Sequence, residues 1–221
     1  MIKKLILKDL NAICLGLGPF LSLIPVFLQL LYNDMPVEGE HVFTHFANQI
    51  IINGNISLLN ALLSIIGATL TAFGIFGLIN DLQKNKSDNL MVFSVFLFLI
   101  ATIGFIISWS QDFILVWGDA NLAPSQMMIE FSLIFSFGIL YWSSIAILSY
   151  RLLTLKFLNA NLLIALSVLS SINIFLIIYT LFTFDPYNAS TVNLLYLGFL
   201  VGSILFYVFC FLAARKILPN K

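Results

Sequence analysis

The chain has 221 residues, of which 61% are hydrophobic and 9% charged, with a mean hydropathy of +1.05 and a net charge of zero. Soluble domains run nearer roughly 45–50% apolar and 25% charged, and a fold of this length cannot hide so much apolar surface in one core, so an ordinary water-soluble globule is excluded. The balance of charge also leaves no basic footprint for nucleic acid.

A helix crossing about 30 Å of hydrocarbon needs about 20 mostly apolar residues. Six segments supply them, at approximately 10–32, 56–79, 90–110, 127–149, 160–183 and 192–213. In lipid each must be helical, because an unpaired backbone amide there costs several kcal/mol. The expected fold is therefore an all-α integral membrane protein, a single polytopic domain over 1–221 built as a bundle of six transmembrane helices.

Lys3, Lys4 and Lys8 precede the first span, whose apolar run reaches about Leu31 with no small-x-small cleavage pattern, so it reads as an uncleaved span. Pro19 and Pro25, with Gly16 and Gly18, predict a kink in it. The first loop, about 33–55, predicts a short amphipathic helix with Pro36 in its first turn and Gly54 at its end. Phe43, Phe46, Ala47 and Ile50 fall on one face at about 100° per residue, with Glu38, His41, His45 and Gln49 roughly opposite. On a helix Glu38, His41 and His45 project within about 60° of one another. Two imidazoles and a carboxylate are a ligand set for zinc or copper with an open position. The bland account, a solvated polar stripe interrupted at Gly39, is preferred, and no cofactor is expected.

The second span carries Ser57, Asn60, Ser64, Gly67, Thr71 and Gly74 at three- and four-residue steps, a seam for close helix packing. Lys84 and Lys86 follow it. Glu130 lies about one turn inside the fourth span, with Tyr141 farther along a related face. An intramembrane carboxylate usually faces a cavity or partner, although one turn from the surface an interfacial role costs little. Arg151 and Lys156 bracket an apolar segment expected at the membrane interface, both charges snorkelling. Asn173, in the middle of the fifth span, wants a partner on a neighbouring helix, as does Asn60. Asn60, Glu130, Tyr141 and Asn173 together form a candidate polar pathway. The sixth span carries Gly198-x-x-x-Gly202, and Arg215, Lys216 and Lys221 follow it. Cys14 and Cys210 fall in apolar segments and match no metal or redox spacing.

All ten Lys and Arg thus lie on one side of the six-span arrangement. The positive-inside rule makes that side cytoplasmic, giving both termini inside, in the cytoplasmic membrane of a prokaryote. The other side is acidic, with Asp34, Glu38, Glu40, Asp112, Asp119 and Asp185 in its loops. There is no Walker loop, no dinucleotide fingerprint, no Gly-x-Ser-x-Gly and no paired intramembrane aspartates of the protease kind. Three functions follow as expectations. The preferred one is a small scaffold or accessory subunit packing against lipid and a membrane partner or a second copy. The alternative is a carrier or channel for a small neutral or cationic solute. The third is a membrane-embedded enzyme or metal-binding protein using the outer-loop histidines.

Overall fold

The computed structural model describes residues 2–32, 34–83 and 88–218, with side chains from Asp9 onward, Leu30 excepted. The elements in chain order are α1 (Ile2–Tyr32), α2 (Val42–Asn53), α3 (Asn55–Leu82), α4 (Asn89–Trp109), α5 (Gln111–Trp117), α6 (Ala123–Thr154), α7 (Ala160–Thr183) and α8 (Ala189–Ile217). A 3₁₀ turn, Ala120–Leu122, joins α5 to α6, and no strand occurs among the described residues. Six stretches are long and apolar enough to cross a membrane: Asp9–Gln29, Asn55–Leu82, Asn89–Trp117, Ala120–Thr154, Ala160–Thr183 and Ala189–Ile217.

Polar residues at the helix starts explain where several of these begin. Asp88 accepts from the Leu90 and Met91 amides at 3.1 and 3.3 Å, Asn159 from Asn161 at 2.8 Å, and Asn188 from Ser190 at 3.0 Å. Each satisfies amides that the first helical turn leaves without partners. Gly54, at φ +43°, separates α2 from α3 by a single residue, a left-handed position that glycine occupies without a Cβ penalty.

The long helices close into a ring in chain order: α1 packs on α3, α3 on α4, α4 on α6, α6 on α7, α7 on α8, and α8 back on α1. Small residues set the closest approaches. A Cβ on Gly74 would stand 2.7 Å from the Leu15 amide nitrogen, and one on Gly67 2.8 Å from the Gly18 carbonyl oxygen. Gly67, Thr71 and Gly74 therefore form the seam on which α1 lies, and the Thr71 hydroxyl is satisfied within α3 by donating to the Gly67 carbonyl at 2.8 Å. Gly198 and Gly202 face the Asn173 amide of α7, so this glycine pair serves the α7–α8 contact within the chain.

One end of the ring is covered. α2 packs against α3, α5 and α6, and the loop before it hydrogen bonds to the loop before α8, Gly39 N to Tyr187 O at 3.1 Å and Val42 N to Pro186 O at 2.8 Å. At the opposite end Arg151 forms an ion pair with Asp88, and Lys216 donates to the Phe157 carbonyl and lies over its ring. Most side chains facing away from the ring are apolar, as at Phe175 and Phe211, which are 68% and 63% exposed.

Several expectations need adjusting. The short helix of the first loop exists and ends at Gly54, but it begins at Val42, because Gly39 at φ +84° holds the preceding residues in a turn. The two prolines of α1 do not end it, and the helix is continuous from Ile2 to Tyr32. The third apolar stretch continues past Ser110 into α5. α6 extends to Thr154, so Arg151 is helical and paired rather than snorkelling from a loop. Lys84, Lys86 and Lys221 lie outside the described residues.

Candidate functional site

Inside the ring, beneath α2, lies a cavity of about 420 Å³. Its walls come from α1, α3, α4, α6 and α8, with Asp112 of α5, Phe46 and Ile50 of α2, and Asp34 and Met35 of the adjoining loop toward the covered end. α7 contributes none of the lining. On α6 the lining recurs from Met127 through Glu130, Phe131, Ile134 and Phe135 to Tyr141 and Trp142, the three- and four-residue steps that keep to one helical face. On α8 Tyr196 and Tyr207 repeat the eleven-residue separation of Glu130 and Tyr141. Eleven residues are about three turns, or about 16 Å of rise, so each helix presents one polar group near the covered end and one deep in the ring.

The shallow tier holds the chemistry. Glu130 and Asp112 both line the cavity and are only 7% and 6% exposed. Their carboxyls are hydrogen-bonded to each other, which requires a proton on one of them, because two carboxylates have no donor between them. Glu130 Oε2 and Asp112 Oδ1 are buried with no protein partner. Tyr196 of α8 is within electrostatic reach of both carboxyls. The Ser108 hydroxyl donates to the Glu130 backbone carbonyl at 3.3 Å and ties α4 to α6 beside the pair.

The deep tier is aromatic. Tyr141 packs on Phe98 at 5.3 Å, on Phe206 at 5.7 Å and on Trp142 at 5.1 Å between centroids. Tyr207 is hydrogen-bonded to Ser22 of α1. No described residue lining the cavity is a lysine or arginine. The arrangement is an apolar chamber with paired acids near one end, suited to a ligand that has an apolar body and at least one polar or positive group.

The chain matches no protein-family model, no curated protein and no solved structure.

Of the candidate polar pathway, the cavity gathers Glu130 and Tyr141. Asn60 is buried in α3 and Asn173 in α7, and neither lines it. Glu130 lies deeper than expected: α6 begins at Ala123, so the carboxyl is about 10 Å along the helix from its start. The histidine group is dispersed. Glu38 is exposed in the turn, and His41 caps α2, its Nδ1 2.9 Å from the Thr44 hydroxyl. His45 is buried rather than on the solvent face, with Nε2 2.8 Å from the Asp34 carbonyl and Nδ1 2.9 Å from the Glu40 carboxylate. The His45 hydrogen bond holds the Glu40 carboxyl below the usual carboxylate range. Among the described residues no three His, Cys, Asp or Glu side chains converge as metal ligands. Cys14 and Cys210 are buried free thiols.

Asp112 is the cavity residue that sequence reasoning placed wrongly, as a charge in an outer loop: it is buried in the first turn of α5. The apolar run Phe113–Trp117 immediately after it was the available signal, since a solvated loop has no use for five consecutive large apolar residues.

Proposed function

We propose that the chain is an integral membrane protein with both termini cytoplasmic, and that it carries a small neutral or cationic solute through the chamber inside its helix ring. Membrane insertion is supported by the six long apolar stretches and by the large apolar side chains on their outward faces, since soluble monomers rarely expose contiguous apolar patches beyond a few hundred Å². The orientation rests on the positive-inside rule. Arg151, Lys156, Arg215 and Lys216 sit at the end away from α2, and Lys3, Lys4 and Lys8 belong to the first turns of α1, before the candidate span that begins at Asp9.

The observation that carries the solute reading is the 420 Å³ chamber with two buried carboxyls in its wall. A scaffold acting only through helix packing gains nothing from an interior space or from acids whose oxygens lack partners, each of which costs stability. The chamber also outweighs the histidine-centred reading, because His41 and His45 are engaged in capping and in holding the loop to α2.

Ser203 lines the chamber seven residues after Tyr196 on α8, about 10 Å along the helix from it, and Ser203→Trp puts an indole into the space while leaving both acids in place. In a panel of small neutral and cationic solutes, at least one should raise the melting temperature of the purified protein, because a ligand that binds only the folded state stabilises it. The same solute should leave Ser203→Trp unchanged. It should also equilibrate across liposomes holding the wild type faster than across liposomes holding the variant. If no solute in the panel distinguishes the two proteins, the reading fails.

A further inference from the structure

Resting on the reading of the chamber as a solute site, we infer that its ligand is an organic monocation with an apolar, aromatic-compatible body, and that it enters in exchange for one proton held by Asp112 and Glu130. The sign of the charge follows from the wall. Asp112 and Glu130 line the chamber, each with one oxygen buried and unpartnered, and Asp34 lines its mouth, while no described lining residue is a lysine or arginine. An anion would meet uncompensated repulsion, and a neutral solute would leave the acids as they stand.

The chemical class follows from what surrounds them. Hard cations such as calcium or magnesium take about six or more oxygen ligands. Among the described residues no third Asp, Glu, His or Cys side chain converges on the two carboxyls to build such a ligand set. Trp109, Phe46 and Phe131 supply rings at the shallow end instead, Phe46 packing on Phe131 and Tyr196, and Phe98, Trp142 and Phe206 line the deep tier. Aromatic faces attract weakly hydrated organic cations, by about 2 kcal/mol or more when water is excluded. At about 420 Å³ the chamber falls within the range of sites for drug-sized molecules.

The exchange follows from charge balance. Burying an uncompensated carboxylate in a dry interior costs several kcal/mol, and two adjacent carboxylates repel as well. Protons therefore hold the empty pair. An incoming monocation supplies one positive charge, one carboxyl proton leaves for solvent, and the net charge of the site is the same before and after. The proton belongs to the pair rather than to either residue, since the two carboxyls share a hydrogen bond. The other groups facing the site leave this balance alone. α8 offers Tyr196. α1 offers Ser22 and Gln29, α3 Thr71, and α4 Thr102 and Trp109, all uncharged. From the covered end His45 is engaged by Glu40 and the Asp34 carbonyl, and Asp34 itself stands at the chamber's mouth.

Tetraphenylphosphonium is a suitable probe, because its charge is permanent and any released proton must come from the protein. Titration calorimetry on the full chain in detergent, in two buffers of different ionisation enthalpy, gives the protons released per cation bound. The expected result is saturable binding with about one proton released, and affinity that falls as the pH is lowered, by up to about tenfold per unit. Neutral triphenylphosphine oxide should bind at least tenfold more weakly. Asp112→Asn combined with Glu130→Gln should abolish both cation binding and proton release, while melting without ligand confirms that the variant is folded. Cation binding without proton release overturns the exchange, and equal binding of the neutral probe overturns the charge selectivity. No binding of either probe overturns this inference alone, provided that a solute from the panel still separates the wild type from Ser203→Trp. If none does, the solute reading fails with it.

Discussion

Asp88 does two jobs at the end of the ring away from the chamber. One carboxylate oxygen caps α4, and the other receives Nε of Arg151 at 2.8 Å together with a second guanidinium nitrogen. The arginine's hydrogen bond holds the Asp88 carboxyl below the usual carboxylate range. A carboxyl whose folded pKa is depressed contributes stability above its unfolded value, near about 4, and loses that contribution as pH falls through the folded value. Arg151→Ala should therefore lower the melting temperature at neutral pH, and the difference from wild type should shrink below about pH 4. The pair is partly solvated, so the cost is at most about 1 kcal/mol after screening, a shift of about 2–4 °C for a chain of this size. A deficit that grows on acidification would show that the carboxylate is not the partner that matters. Asp88 was not singled out in the sequence, because its partner lies 63 residues away. Glu130 was, because a single acid in an apolar run stands out on its own.

At the scale of the elements, Asn173 shows how a polar residue inside a span can belong to packing. Its side chain is 1% exposed, and neither amide atom has a hydrogen-bond partner. It lies over Gly198 and Gly202, where a Cβ on Gly198 would come within 2.7 Å of its Oδ1. The fit is one of shape: α8 is stripped of side chains where α7 presents the amide. Leucine has the same branch point and the same number of side-chain heavy atoms, though bulkier ends, and removes two buried groups that make no bond, each costing about 1–3 kcal/mol to leave unsatisfied. Asn173→Leu should therefore melt at or above the wild-type temperature and leave binding to the chamber unchanged. A loss of binding would place Asn173 in the solute's path, while a large drop in melting would show that the amide makes bonds in the membrane.

The elements themselves were readable from the sequence. Length and hydropathy give six spans, although the third ends and the fourth begins seven residues from where the sequence put them, and small residues three and four apart give the seam on α3. The glycine pair of α8 suggested close packing but not with which helix, since spacing alone fits an internal contact as well as a dimer. The chamber was not readable. It depends on which faces of α6 and α8 meet, and in a chain where lipid and core are equally apolar, hydropathy does not separate a face turned inward from one turned outward.

For the whole molecule, the asymmetry between the two ends sets the direction in which the chamber opens. The end covered by α2 carries Asp34, Glu38, Glu40, Asp119 and Asp185, and the chamber reaches that surface at Asp34 and Met35. The other end carries the described cations, with Arg151 and Lys216 tied to Asp88 and Phe157. If basic residues stay on the cytoplasmic side, the chamber opens outward in this conformation and is closed toward the cytoplasm. The native thiols are buried, so single introduced cysteines can report on sidedness with little background. Glu38 lies in the exposed turn before α2, and Lys156 is exposed at φ +51° after α6. In intact cells Glu38→Cys should react with a membrane-impermeant maleimide, whereas Lys156→Cys should react only after the cells are permeabilised. The reverse pattern would invert the protein in the membrane and turn the mouth of the chamber toward the cytoplasm. Labelling of both positions in intact cells would show that α2 and the α6–α7 connection lie on the same side, which a ring of six crossings in chain order does not allow.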